Sequence, residues 1–329
     1  MFDLLSAPAA ILVTGGAGFI GSNLTEALLA SGHSVRVLDN FSTGKRENIA
    51  PFMERPQFEL IEGDIRDIAV CRRAVAGMDF VLHEAALGSV PRSIKDPATS
   101  TEVNIGGFVN MLHAAAEAGI RRFVYASSSS VYGDCQDSPK TENRTGNPLS
   151  PYAVTKSVNE QFAANFSRIY GIQCIGLRYF NVFGKRQDPD GAYAAVIPKF
   201  SAALINHQAP VINGDGSFSR DFTYIDDVVQ ANIRALAATE PDAVNNIFNV
   251  ACGTETTLNS LLGFLKEELS SFDPEIKNIM PLYAPERPGD IPHSLASIER
   301  AVKLLKYQPQ FSVRQGLKLT AQWYFKNLK

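Results

Sequence analysis

The chain has little cysteine, and none of it is closely paired. Among 329 residues there are four, Cys71, Cys135, Cys174 and Cys252, with no C-x-x-C pair. That spacing excludes a disulfide framework and a zinc knuckle, and leaves reduced thiols as the expectation. The five histidines, His33, His83, His113, His207 and His293, are equally scattered, so no metal site is expected. Charge of one sign is also missing. Lys and Arg number 31 against 34 Asp and Glu, a formal net charge of −3. The chain therefore lacks a broad electrostatic footprint for nucleic acid or a membrane surface. An anionic ligand must be met by a few placed Arg or Lys residues. No apolar run reaches bilayer length: residues 9–13 stop at Thr14-Gly15-Gly16, which is strand length. Residues 1–10 carry no basic leader region, so a cytoplasmic protein is expected. No internal repeat or low-complexity segment is present. Hydrophobic residues make up 45%, enough for a large core without staples.

What is present is alternation. Short apolar runs at 11–14, 34–38, 58–61, 80–83, 123–127 and 173–177 predict strands. Helical periodicity lies between them at 20–31, 67–75, 103–117 and 152–170. Strand–helix–strand repetition predicts an α/β fold, a doubly wound parallel sheet of Rossmann type. After Arg178 the pattern loosens, with helices expected at 192–206, 226–238, 258–269 and 313–326 and a Pro-rich loop at 273–292. The expected organisation is a nucleotide-binding domain over 1–180 with returning segments near 222–252. Residues 181–221 and 253–329 mainly form a smaller mixed α/β lobe for substrate.

The first strand runs into Gly15-Gly16-Ala17-Gly18-Phe19-Ile20-Gly21, a G-x-x-G-x-x-G turn that opens an apolar helix. Glycine lets backbone approach a pyrophosphate closely, and the helix N-terminus offers N–H groups and a positive dipole end. The second strand leads to Asp39, eighteen residues past Gly21. An acid at that distance accepts the adenosine ribose hydroxyls and repels a 2′-phosphate, so NAD is favoured over NADP. After the third strand, Gly63-Asp64-Ile65 suits an adenine contact or an ordinary strand-end turn.

Tyr152 and Lys156 are four apart on one predicted helix, introduced by Ser150-Pro151. A free tyrosine has a pKa of about 10, too high for a base at neutral pH. A nearby ammonium favours the phenolate, and so does a cationic nicotinamide. Tyr152 could then take a proton from a hydroxyl while hydride leaves the carbon. The serine run Ser127-Ser128-Ser129-Ser130 ends a strand, on the sheet edge where ligands bind.

These residues together resemble the extended short-chain dehydrogenase/reductase superfamily. The likeness rests on residues 14–21, Asp39, Asp64, Asn104, the serines before Val131-Tyr132-Gly133, and Tyr152-Ala153-Val154-Thr155-Lys156. The nucleotide-sugar branch is indicated by residues 177–184, by Ser219-Arg220-Asp221-Phe222 and by Arg287-Pro288-Gly289-Asp290. The resemblance implies a catalytic trio of Ser128, Tyr152 and Lys156, with Asn104 supporting the lysine side. It implies a tightly bound NAD, regenerated each turnover, held by Gly15, Gly18, Phe19, Ile20 and Gly21. Asp39, Asn40, Asp64, Ile65, Asn104, Tyr152 and Lys156 complete that cofactor site. Arg220 and Arg287 match the diphosphate-binding arginines, and a guanidinium fork suits phosphate oxygens.

Related dehydratases carry an Asp-Glu pair where this chain has Ser129-Ser130. Serines cannot supply the acid and base for eliminating water, so 4-epimerisation through a 4-keto sugar remains. The stretches 88–93, 191–195 and 292–295 are similar to the N-acetylhexosamine 4-epimerases. That likeness implies substrate contacts from Ser89, Ser129, Ser130, Asn181, Ala195, Asp290 and Ser294. A small Ser294 leaves room for a 2-acetamido group, which points to UDP-GlcNAc and UDP-GalNAc. The rivals are UDP-glucose/UDP-galactose or UDP-glucuronate 4-epimerases, a dehydratase or decarboxylase, and a non-catalytic NAD-binding regulator. Apolar stripes on 103–117 and 152–170 are broader than one sheet contact needs, and the family uses these helices in a homodimer.

Overall fold

The computed structural model describes residues 5, 7–189, 195–286 and 292–328. Seven parallel strands form its central sheet: β1 (Ala10–Thr14), β2 (Ser34–Asp39), β3 (Phe58–Glu62), β4 (Phe80–His83), β5 (Arg122–Ser128), β6 (Gln173–Tyr179) and β7 (Asn246–Val250). Their order is β7-β6-β5-β4-β1-β2-β3. The chain starts in the middle, winds outward through β2 and β3, then crosses back to β4. A ligand crevice opens where winding reverses, beyond the carboxyl ends of β1 and β4.

The apolar runs become strands because both faces of the sheet are covered. Ile11 and Val13 point into one core with Leu24, Leu28, Val35 and Val37. Leu12, between them, faces the other core with Leu38, Val81, Phe108 and Phe123. Helices α1 (Phe19–Ala30), α2 (Ile68–Val75), α3 (Phe108–Glu117) and α4 (Pro151–Tyr170) follow the pattern read from sequence.

Three expectations change in detail. The helix expected from 103 begins as a π turn, Glu102–Gly107, before α3. The helix expected at 192–206 is α5 (Val196–Ile205), with Ala195 at its N-cap and residues 192–194 outside the described set. The expected loop 273–292 holds a 3-10 turn, Pro274–Asn278, and a strand, Leu282–Ala284, paired with Val211–Asn213. The expected helices near 226–238, 258–269 and 313–326 are α6 (Ile225–Ala237), α7 (Leu258–Leu269) and α8 (Val313–Asn327). No described helix is long and apolar enough to cross a membrane.

Candidate active site

The strand ends and the glycine turn enclose a cleft of about 390 Å³. Gly15 has φ +67°, a conformation that L side chains rarely adopt, and a Cβ at Gly21 would overlap the Gly15 carbonyl oxygen. The turn therefore closes on itself as only glycine permits. Gly18 is the N-cap of helix α1 and no side chain caps it, which leaves the positive helix end facing the cleft. Phe19 and Ile20 line the same wall.

At the end of β2, Asp39 accepts the Ala17 N–H at 2.9 Å and the Phe41 N–H at 2.8 Å. Burial lifts its carboxyl above the ordinary value against those two bonds. Each oxygen keeps a lone pair for a hydroxyl donor. Asp64 is held differently. Arg66 grips it at 2.8 Å and Asn40 donates to it at 2.9 Å, which brings its pKa to about 2. Ile65 completes this wall of the cleft. The donor and acceptor set fits a dinucleotide: a glycine turn for phosphates, a helix end for their charge, and an acid for ribose.

The opposite wall brings together the residues expected to carry the chemistry. Ser150 caps α4 by accepting the Ala153 N–H at 3.1 Å, and Pro151 stands in the first turn. The Tyr152 amide donates to Ser93 Oγ at 3.0 Å, which pins the start of the helix. Tyr152 and Lys156 then line one cleft with Ser128 from the end of β5. Ser128 Oγ accepts from the Ser130 amide at 3.1 Å and the Ser130 hydroxyl at 2.9 Å. Ser129 lies between them on the turn Ser129–Tyr132. Lys156 Nζ donates to the Ala126 carbonyl at 2.8 Å and lies 5.9 Å from the Tyr152 ring centre.

The electrostatics correct one expectation. Tyr152 is not made acidic by its lysine here. Burial raises its pKa, Ser128 pulls it down, and the Glu84 carboxylate raises it further. Burial also brings Lys156 down to about 8, against Glu84 and Glu160. Asn104 meets Thr155, the residue before the lysine. Its amide donates to Thr155 Oγ1 at 3.3 Å, and its Oδ1 accepts the Leu87 N–H at 2.7 Å.

A second cavity of about 260 Å³ adjoins the cleft, and Asn181 and Val182 line both. Ala195, Arg220, Phe218 and Leu258 also face it. Arg220 lies on a two-residue strand, Ser219–Arg220, in register with Ser294. Asp221 next to it is fully buried and accepts the Cys252 and Gly253 N–H groups at 2.9 and 3.0 Å. Burial pushes its pKa up to about 7. Its own N–H donates to the Ser294 carbonyl at 2.9 Å. Ser89 caps the short helix Val90–Lys95 by accepting the Arg92 N–H at 3.2 Å. Arg287 and Asp290 lie outside the described residues.

Sequence reading missed Glu84 and Tyr179 on the first cleft, and Phe218 and Leu258 on the second. The signal for Glu84 was its place directly after β4, at the carboxyl edge of the sheet.

Residues 11–251 match the model of the NAD dependent epimerase/dehydratase family. A UDP-glucose 4-epimerase of Mycolicibacterium smegmatis is 37% identical over 95% of this chain and 97% of its own. The structure of a UDP-N-acetylglucosamine 4-epimerase from Methanobrevibacter ruminantium M1, in complex with UDP-N-acetylmuramic acid, superposes with TM-score 0.90. It is 37% identical and covers 97% of this chain and 99% of its own. The structure of a UDP-glucuronic acid 4-epimerase from Bacillus cereus, with UDP-glucuronic acid and NAD, gives TM-score 0.88 at 31% identity, covering 97% and 100%. Sheet order, glycine turn and sequence likeness agree, and the chain belongs to the NAD dependent epimerase/dehydratase family, with NAD as its cofactor.

Proposed function

We propose that this chain is a UDP-sugar 4-epimerase whose substrates are UDP-GlcNAc and UDP-GalNAc. The observation that carries the activity is one cleft holding Ser128, Tyr152 and Lys156, with serines rather than carboxyl groups at 129 and 130. Tyr152 takes the proton of the sugar 4-hydroxyl and later returns it. Ser128 hydrogen-bonds that oxygen and helps the buried phenol ionise, and Lys156 keeps a positive charge in the same cleft. When bound, NAD supplies a hydride acceptor for C4 and gives the hydride back. Arg220 grips the diphosphate from the second cavity, so the sugar can turn about that anchor and present its other face.

Residues 1–180, with the returning segments near 222–252, serve the cofactor, and the remaining lobe serves the sugar nucleotide. The acetylated sugar is favoured by the small Ser294 beside Arg220 in register. A homodimer through α3 and α4 is part of the proposal, supported by Val154, Ile169 and Tyr170, which stand exposed on α4. The second reading is a UDP-glucose or UDP-glucuronate 4-epimerase, favoured by relatives of those names at 37% and 31% identity. Incubation with UDP-GlcNAc, UDP-glucose and UDP-glucuronate separates the readings. Turnover of UDP-GlcNAc is expected. Exclusive turnover of the uronate sinks the substrate, and no turnover of any sinks the activity.

A further inference from the structure

The cofactor cleft contains a carboxylate for which the proposed reaction gives no use. Glu84 follows β4 directly, at the edge where strand ends face the crevice, and lines the same cavity as Ser128, Tyr152 and Lys156. Its N–H donates to the Thr14 carbonyl at 3.2 Å, which ties it to the end of β1. Its Oε1 accepts from the Tyr179 hydroxyl at 2.8 Å. That hydroxyl in turn accepts from the Asn232 amide at 2.9 Å. Tyr179 and Asn232 are buried, and the same hydroxyl lies 3.2 Å from Asn232 Oδ1, so the pair holds the tyrosine oxygen in place beside the carboxylate.

We infer that Glu84 is a positioning residue of the proposed epimerase site, a carboxylate anchored by Asn232 and Tyr179 whose charge governs how the Tyr152–Lys156 pair exchanges protons. The inference rests on the proton-transfer role given above to that pair. Few other groups can share the task. His83 is adjacent in sequence, but it is packed between Phe108 and Phe123, and burial brings it to about 3, so it stays neutral. Tyr179 is pushed up by burial and by Glu84 itself, so it stays a phenol. Ser128 faces Tyr152 without charge. Glu160, on the same helix as Lys156, adds a second negative charge near the ammonium. It is bound to Arg178 at 2.8 Å, which offsets it.

The signs follow from these neighbours. Burial lifts Glu84 to about 7, with Tyr179 and Lys156 pulling it down, so the residue becomes charged as pH rises through neutrality. Its charge raises Lys156 and raises Tyr152. Glu84→Gln keeps the shape and removes the charge, so both groups release their protons at lower pH. The limb of the rate profile that the phenol sets moves down. The limb set by loss of the ammonium moves down with it. A residue that only filled space would scale the rate at every pH and leave both limbs where they were.

The test is the pH profile of kcat/KM for holoenzyme carrying Glu84→Gln, with the UDP-hexose the wild type turns over best. A spectroscopic titration of the Tyr152 phenol runs beside it, read as the difference from Tyr152→Phe in the same background. Both limbs and the phenol midpoint should fall by about one pH unit. Glu84→Asp, which keeps the charge, should return them towards wild type. A lower rate at all pH values with unmoved limbs and midpoint overturns the inference. If Glu84→Gln does not fold, Glu84→Ala must show the same displacement, and its absence is equally fatal. If no UDP-hexose is turned over, the proposed function fails, while the phenol titration still decides the role of Glu84.

Discussion

The two cavities that meet at Asn181 are built from different material. The cofactor cleft stands on the ends of a seven-stranded sheet, and backbone groups hold its polar side chains in place. Asp39 is gripped by the Ala17 and Phe41 amides, and Lys156 by the Ala126 carbonyl. The second cavity is assembled from Arg220 of a two-residue strand, the starts of α5 and α7 at Val196 and Leu258, and aromatic side chains. A sheet edge fixes groups to within fractions of an ångström, as proton and hydride movement demands. Short strands on loops tolerate a group that must turn. The difference teaches that a scaffold can be rigid where atoms are transferred and looser where the substrate reorients.

The largest effect should come from breaking the rigid side at its reacting atom. Tyr152→Phe removes the base and should lower kcat on the order of 10³-fold while bound NAD stays. Turnover assays and the nucleotide content of the purified protein check both halves. Unchanged turnover would take the base role away from Tyr152.

The next tests the rigidity itself. Glu160 and Arg178 form a buried pair at 2.8 Å beneath the serine run, and Ser127 Oγ donates to the same carboxylate. The Glu160 carboxylate thereby links α4 to β5 and β6. Glu160→Gln leaves the buried guanidinium without its counter-charge and should cost about 3 kcal/mol of stability. Thermal or denaturant unfolding measures it. A loss near zero would mean that α4 is held mainly by its cap and its packing.

The same contrast separates what could be read in the sequence from what could not. The first six sheet strands were legible because each is a local apolar run followed by helical periodicity. β7 was not read as a strand, since Asn246, Asn249 and a short apolar pair hide its burial, and its partner β6 lies far away in sequence. The glycine turn, Asp39, Tyr152 and Lys156 were legible because their spacing is local. Glu84 and the Glu160–Arg178 pair were not, because their meaning comes from neighbours brought together only by folding. The electrostatics of Tyr152 failed for the same reason. Four-residue spacing brings an ammonium near, but it does not reveal how deeply the phenol is buried or that a carboxylate shares the cleft.

On the looser side, Arg220→Ala should raise KM for the sugar nucleotide about 10- to 100-fold and leave kcat within a few-fold, because the guanidinium binds a part of the substrate that does not react. Steady-state kinetics at saturating and limiting substrate resolve the two constants. A fall in kcat with an unchanged KM would move Arg220 from anchoring to chemistry and erase the division between the cavities.

The smallest effect concerns choice between sugars. Ser294 lies in register with Arg220, and its carbonyl accepts the N–H of the buried Asp221, so its backbone is fixed while its side chain is small and half-buried. Ser294→Tyr adds a ring beside the proposed anchor without disturbing that backbone bond. If the acetamido group needs this space, kcat/KM for UDP-GlcNAc should fall roughly tenfold relative to UDP-glucose, the scale on which pocket size discriminates between substrates. The ratio of the two constants, measured on the same preparation, removes any common loss from misfolding. Equal loss on both sugars would show that Ser294 does not filter size, and the acetylated substrate would then have to be recognised by other residues.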